Sequence, residues 1–438
     1  MTEASRPHLV AALGRAPMVE RQGRLVSAVG TTLRVAGLQA RVGDQCEIAD
    51  PDGEGPSLWA EVVGFADDVA ILTPLGDLSG LAPAARPVVR PGRDRVPCGP
   101  GLLGRVIDAR GLPIDGLGPL PRGPERPLRA APPSPMARRA IERPVATGVR
   151  ALDALLTMGE GQRVGVFAGP GSGKTTLMGL LARNAEADAI VIGLIGERGR
   201  EVREFVEDVL GPAGRARSVT VVATSDSPAA TRVRAAHAAT AIAEGMRAEG
   251  KHVLLLVDSV TRYARALREM GLAAGEPAVR RGFPPSVFAE LPRLFERAGA
   301  DDGGAITGVY TVLLEEEEGD PIGDEVRSLL DGHIYLSRKL ATRGHYPAVD
   351  VLASLSRLFP RLASAGQAEA ANEVRALLAK LGEIELLVQL GEYRPGHDLL
   401  ADRALAARDG LESFLKQGMD EAADFATTIA RLRGLAAA

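Results

Sequence analysis

Ala168-Gly169-Pro170-Gly171-Ser172-Gly173-Lys174-Thr175-Thr176 follows a short apolar run, Val164-Gly165-Val166-Phe167, and opens a helical pattern beginning at Lys174. The stretch matches G-x-x-x-x-G-K-[ST] at every fixed position but the first, where Ala168 stands for glycine. Gly169 and Gly171 keep the turn permissive, so backbone N–H groups can converge on phosphate oxygens. The helix that starts there adds the positive end of its dipole. Lys174 is a point charge for β- and γ-phosphates, and the Thr175 hydroxyl is a ligand for Mg²⁺. Residues Gly169, Pro170, Gly171, Ser172, Gly173, Lys174, Thr175 and Thr176 are therefore expected to bind a nucleotide, ATP, with Mg²⁺. The alternative is a glycine-rich turn without a ligand, which the strand-before, helix-after context disfavours. Composition agrees. The chain has 52 basic residues, of which five are Lys, and the first Lys is Lys174. A forked guanidinium would not serve as a point charge in that cradle.

Outward from this turn, Ala189–Ile195, Val219–Ala223 and Val253–Val257 read as further buried strands separated by helical stretches. Buried strands alternating with helices imply an α/β core with a parallel sheet. His252-Val253-Leu254-Leu255-Leu256-Val257-Asp258 is an apolar strand ending in a carboxylate. With that strand beside the first, Asp258 would hold a Mg²⁺-bound water near Thr175; alone, it reads equally as a turn or helix cap. Glu197, in Ile195-Gly196-Glu197-Arg198-Gly199-Arg200-Glu201, sits just past a strand's C-terminal end, where open α/β sheets bind ligands. A carboxylate there can orient and deprotonate a water for attack on a γ-phosphate. The alternating Glu and Arg read otherwise as a solvated turn.

Residues 1 to about 90 show short alternating runs broken by Gly and Asp turns, with Trp59 to Pro74 reading as two strands, the pattern of a small β-barrel or sandwich. Pro119 to Pro144 holds eight prolines and reads as a connecting segment. After about residue 350 strand signals stop. Val374, Leu377, Leu378, Leu381, Ile384 and Leu387 recur at helical spacing, Gly391 to Gly396 breaks the pattern, and Leu399 to Leu432 resumes it. The expected domains are thus 1–90, 91–350 and 351–438. A length of 438 residues suits about three domains. The net charge of −4 and 3% aromatics leave no footprint for nucleic acid. Cys46 and Cys98 are too few for a disulfide framework or a four-ligand zinc site, and read as packing residues. No apolar run reaches the ~18 residues of a membrane span, and no basic-then-apolar leader opens the chain, so the cytoplasm is the expected compartment.

The Gly196–Glu201 run, the P-loop and Asp258-Ser259-Val260-Thr261-Arg262-Tyr263-Ala264-Arg265-Ala266 together resemble the hexameric ATPases related to the catalytic subunit of rotary ATP synthases. Gly282-Phe283-Pro284-Pro285-Ser286-Val287-Phe288, Leu291-Pro292-Arg293-Leu294, Asp331-Gly332-His333-Ile334 and Tyr346-Pro347-Ala348-Val349-Asp350 strengthen the match. The chain is most similar to the ATPase of type III protein secretion, and the Gly391-Glu392-Tyr393 turn, followed by Gly396 and Asp398, resembles the injectisome form. The resemblance implies a RecA-like P-loop core with an N-terminal barrel and a C-terminal helical domain. It implies that Glu197 is the catalytic glutamate and that Arg198 and Arg262 lie near the γ-phosphate. It further implies that Arg357 is a finger reaching the neighbouring subunit's nucleotide, and that Tyr346 and Tyr393 flank adenine. As implied partners it gives a homohexamer, a stator-like regulator at the leading segment, a central stalk protein, export chaperones and effector substrates. Attachment to the inner-membrane export apparatus would be peripheral.

Each residue has a plainer alternative: Arg198 and Arg262 pair with carboxylates, Tyr346 packs in the core, and Arg357 is one more surface arginine. The acidic run Glu315–Glu318 departs from the family's pattern and is given no catalytic role. Competing functions are a flagellar export ATPase, a rotary ATP synthase catalytic subunit, a ring-shaped RNA helicase and a non-hydrolysing nucleotide-binding scaffold. The helicase needs a basic or aromatic N-terminal surface. Residues 1–60 hold six Arg against seven acidic residues, with Trp59 the only aromatic.

Overall fold

In the computed structural model, residues 20–49, 57–90, 92, 94–314 and 319–437 are described. The leading segment expected to meet a regulator and the acidic run Glu315–Glu318 lie outside them. The chain divides into two compact units: residues up to Asp94 with Ala273–Gly275, and the remainder.

The first unit is a six-stranded antiparallel sheet in the order Arg24–Val29, Thr32–Ala36, Val69–Pro74, Leu58–Ala66, Gln45–Ala49, Arg86–Val89. Its alternation puts Leu33, Val35, Ile48, Val62 and Leu72 in one apolar core. The hairpin joining Leu58–Ala66 to Val69–Pro74 turns through Asp67 and Asp68, both at positive φ, as two-residue turns of this kind require. The sheet closes on itself. Gly23 N–H donates to the Pro87 carbonyl at 2.9 Å and Val89 N–H to the Arg21 carbonyl at 3.0 Å, so the chain before the first strand pairs with the last. A closed barrel leaves no open edge to aggregate. Cys46 is buried in this core, and burial pushes its thiol up to about 12.

The second unit is built on a nine-stranded sheet. Its path runs Val349–Ser356, Gly332–Leu336, Arg163–Ala168, Gly304–Leu313, His252–Asp258, Ala189–Glu197, Ser218–Thr224, Val106–Asp108. All neighbours on this path are parallel except the first pair. Successive side chains point to opposite faces. Ala189 and Val191 therefore join one apolar cluster and Ile190 and Ile192 the other. The C-terminal helices Ala365–Gln389, Leu399–Leu415 and Phe425–Ala437 complete the second cluster, where Val374, Leu377, Phe414 and Leu432 pack with Met178 and Leu181.

Three features differ from the sequence reading. The strand Gly304–Leu313 lies between the P-loop strand and the Asp258 strand, so those two are not neighbours. Gly308 and Thr311 interrupt its apolar run and hide it from a search for Val/Leu/Ile stretches, although the segment is almost wholly buried. The strand Val349–Ser356 runs six residues past the expected end of strand structure, because it is an edge strand with exposed positions at Leu352 and Leu355. Finally, the helical pattern from Leu399 to Leu432 is broken by a turn at residues 416–424. Among the described residues no helix is long and apolar enough to cross a membrane.

Candidate functional site

The strand Arg163–Ala168 delivers the chain to residues 169–173, and the helix Lys174–Asn184 leaves from them. Gly171 and Gly173 sit at φ of +74° and +85°, values that cost a side-chain-bearing residue strain. The Ser172 hydroxyl donates to the Gly169 carbonyl at 2.8 Å and closes the turn. No side chain caps the helix start, so its first N–H groups remain free for an anion. Leu177, Met178, Leu180 and Leu181 bury the other face and fix the helix on the sheet.

Three charged side chains meet above the strand ends. Lys174 Nζ lies 2.5 Å from Asp258 Oδ1 and 3.1 Å from Glu197 Oε1. Asp258 ends His252–Asp258 and Glu197 ends the neighbouring Ala189–Glu197. The strand Gly304–Leu313, on the other side of His252–Asp258, contributes Thr311, fully buried, whose hydroxyl donates to Asp258 Oδ1 at 2.6 Å. Burial works against the Lys174 charge, but the Asp258 and Glu197 carboxylates outweigh it and raise its pKa. Burial, reinforced by the Asp258 charge, raises Glu197 above the ordinary 4.5, against the pull of Lys174 and Arg262. Its neighbour Glu201 is lowered, first by its hydrogen bond with Glu197.

Glu197 is aimed by a break in the strand register between Ile195 and Glu197. Gly196 occupies the break at φ +72°, and a Cβ there would come within 2.8 Å of Arg262 Cδ. Arg262 can therefore lie across Gly196. Its Nη1 donates to the Gly196 carbonyl at 2.5 Å and its Nη2 to Glu197 Oε2 at 3.4 Å, while its buried Nε has no partner.

Not every expected residue joins this cluster. Arg198 is exposed and paired with Glu201 at 3.0 Å, the alternative reading for it. Arg262 also binds a carboxylate, but that carboxylate is Glu197 itself. Tyr346 is not core: it is 37% exposed, and a Cβ on Gly173 would lie 2.9 Å from its Cε1, so the ring rests on the P-loop. Tyr393 is held instead in the C-terminal turn, its hydroxyl donating to Asp402 Oδ1 at 2.7 Å. Arg357 follows the edge strand. That strand runs antiparallel, with Val349 opposite Leu336 and Ser356 opposite Gly332. Leu336 pairs with Ala168 and Gly332 with Val164. Arg357 therefore emerges at the far end of the sheet from its own P-loop, about 13 Å away along the strands alone. It is exposed there, bonded to the Arg327 carbonyl at 3.4 Å. The sequence reading missed Thr311, which stands next to no motif, and the register break at Gly196, for which the glycine was the only local signal.

Mg²⁺ takes oxygen ligands and keeps several waters. Thr175 offers an exposed hydroxyl at the helix start, and Asp258 uses only Oδ1 for Lys174 and Thr311, leaving Oδ2. That donor set fits the ion.

Residues 148–356 match the ATP synthase alpha/beta family, nucleotide-binding domain, and residues 363–434 match the T3SS EscN ATPase C-terminal domain. Over 411 residues the chain is 54% identical to a type 3 secretion system ATPase of Xanthomonas euvesicatoria, covering 93% of this chain and 92% of that one. It is 47% identical over 428 residues to a flagellum-specific ATP synthase of Salmonella typhimurium, covering 95% and 94%. Its structure is similar to that of the assembled ATPase EscN from the enteropathogenic E. coli type III secretion system. The TM-score is 0.89 at 45% identity, over 94% of this chain and all of that one. EscN in complex with its central stalk EscO matches at a TM-score of 0.87, at 44% identity over the same shares of the two chains. With such identity sustained over nearly its whole length, the chain belongs to the family of type 3 secretion system ATPases.

Proposed function

We propose that this chain hydrolyses ATP at sites shared between adjacent copies in a homohexameric ring, and that the turnover powers type III protein secretion. The observation that carries the proposal is the Lys174–Asp258–Glu197 cluster over the P-loop: one cation for phosphate, one carboxylate for a metal-bound water, one for the attacking water. In the resting site Lys174 pairs with both carboxylates. Binding of the triphosphate gives Lys174 a stronger anionic partner and frees Glu197 and Asp258 for their tasks. Thr175 and, through water, Asp258 would hold Mg²⁺, which supplies positive charge to the phosphate oxygens. Glu197 orients water and takes its proton as the water oxygen bonds to the γ-phosphorus. The bond from that phosphorus to the β–γ bridging oxygen breaks, and ADP leaves. Arg262, lying across Gly196, keeps the Glu197 carboxylate aimed.

Arg357 cannot serve its own P-loop from the opposite end of the sheet, so its use is in the neighbouring copy's site, against charge on the γ-phosphoryl. Tyr346, resting on the P-loop, is the platform for adenine. Tyr393 would have to leave Asp402 to reach the base. The solved complex of EscN with a central stalk supports a stalk protein as a partner here. The family supports delivery of chaperones and effectors to an export apparatus at the inner membrane, with the ATPase cytoplasmic and attached peripherally.

Phosphate release by the full chain with Mg²⁺-ATP tests the chemistry. Glu197→Gln should lose about 10²–10⁴ of turnover while still binding ATP. Retention of turnover in that variant contradicts the assignment.

A further inference from the structure

The turn between the last two helices, residues 416–424, is tied to the backbone of Tyr346 and to the chain at Gly148–Arg150 by buried polar groups that the reaction scheme does not use. Gln417 is 4% exposed. Its main-chain N–H donates to the Tyr346 carbonyl at 2.7 Å. Its side-chain Nε2 donates to the Gly148 carbonyl at 2.6 Å and the Glu421 carbonyl at 2.7 Å. Its Oε1 accepts from Arg150 N–H at 2.9 Å. Arg150, equally buried, donates Nε to the Phe414 carbonyl at 2.7 Å and extends its guanidinium to Glu421 and the Lys416 carbonyl. From the other side Arg183, in the last turn of the P-loop helix, pairs with Asp420 at 3.0 Å and bonds the Met419 carbonyl. One short turn thus gathers the helix Arg150–Leu155, the P-loop helix and the backbone of Tyr346.

The Tyr346 ring is too exposed to be fixed by its own burial. Its position over Gly173 depends on its main chain, and the bond to Gln417 pins that main chain at the Tyr346 carbonyl. Every polar atom of the Gln417 amide is engaged, so removing the amide leaves buried partners unsatisfied and the turn free to shift. We propose that Gln417 is a positioning residue for the nucleotide base: through the Tyr346 backbone it holds the aromatic platform at the distance from the P-loop that the base requires. The C-terminal turn, clamped by Arg150 and Arg183, thereby sets affinity for the base and leaves the phosphate chemistry alone. This inference rests on the reading of Tyr346 as the base platform.

The test uses the full chain with Gln417→Met, which keeps volume and removes the amide. Steady-state kinetics with ATP are compared with inhibition by inorganic tripolyphosphate, which has no base. Expected is a rise in KM for ATP of about tenfold, the factor that corresponds to loss of the one main-chain hydrogen bond holding the Tyr346 carbonyl once the turn shifts. The value of kcat and the inhibition by tripolyphosphate should stay near those of the parent. In a Tyr346→Ala background, Gln417→Met should add nothing further. Equal weakening of ATP and tripolyphosphate, a fall in kcat at constant KM, or full additivity with Tyr346→Ala overturns the proposal. Arg183→Met loosens the same turn from the P-loop helix and should give the same base-selective rise, so it carries the test if Gln417→Met does not fold. If Tyr346→Ala itself leaves the KM for ATP unchanged, the platform reading fails. If Tyr346→Ala raises it and neither turn variant does, the positioning role alone fails.

Discussion

The two ends of the large sheet carry charge in opposite ways. At the C-terminal end of the parallel strands, Lys174, Asp258 and Glu197 are largely buried and satisfy one another. At the other end, the antiparallel edge strand releases Arg357 into solvent, its guanidinium on a long hydrogen bond to the Arg327 carbonyl. The first arrangement is the one proposed to take a triphosphate. Among the described residues no carboxylate pairs with the second. An edge strand running against its neighbours sends its last residue away from its own P-loop, so what a chain gives its own site and what it gives elsewhere are separated by topology.

That contrast can be broken at either end. The largest effect is expected at the exposed end. Arg357→Ala should cost about 10³–10⁵ in kcat, the range for arginine fingers, while ATP binding by a fluorescent nucleotide assay stays intact. A loss of binding with unchanged kcat would place Arg357 elsewhere. Next comes the pH profile of kcat/KM. Glu197 is raised by burial and the Asp258 charge, so it stays protonated to higher pH than an ordinary carboxylate. A base must be unprotonated to work, so activity should be full above the raised value and fall about tenfold per pH unit below it. The acid limb should therefore lie above 4.5; a limb at or below that value contradicts the placement of Glu197. Thr311→Val removes the hydroxyl that orients Asp258 and keeps the shape. The expected loss is about tenfold in kcat/KM, as for one charge-assisted hydrogen bond, recoverable in part by higher Mg²⁺. Arg198→Ala should matter least, below about threefold, because its partner Glu201 forms only an exposed pair. A loss comparable to that of Arg357→Ala would restore Arg198 to the γ-phosphate.

How much of this was readable without coordinates follows from how far each signal spreads along the chain. The P-loop is contiguous, so residues 168–176 announce turn, helix start and ligand together. Glu197 and Asp258 each end an apolar run, and strand ends are visible in the chain. What joins them to the P-loop is not: the order of strands depends on crossovers, and Gly304–Leu313, carrying Thr311, enters between the P-loop strand and the Asp258 strand. Its Gly308 is required because a Cβ there would meet the Tyr310 ring at 2.6 Å, yet in the sequence that glycine reads as a break. The barrel was legible from its alternation, and its closure through Arg21–Gly23 was not, since one main-chain ladder between distant residues leaves no side-chain pattern. Gln417 escaped for the same reason: its four hydrogen bonds reach residues 346, 150, 148 and 421, and only the last is local.

Mixing two inactive variants puts the sharing of the site to the test. Lys174→Ala and Arg357→Ala each leave every site of a ring of identical copies defective. When assembled together, an interface with the P-loop of the Arg357→Ala copy and the arginine of the Lys174→Ala copy is whole. Phosphate release should reappear on mixing and rise with the probability of that pairing. Silence at every ratio, from proteins shown to co-assemble, would mean that Arg357 does not complete a neighbour's site.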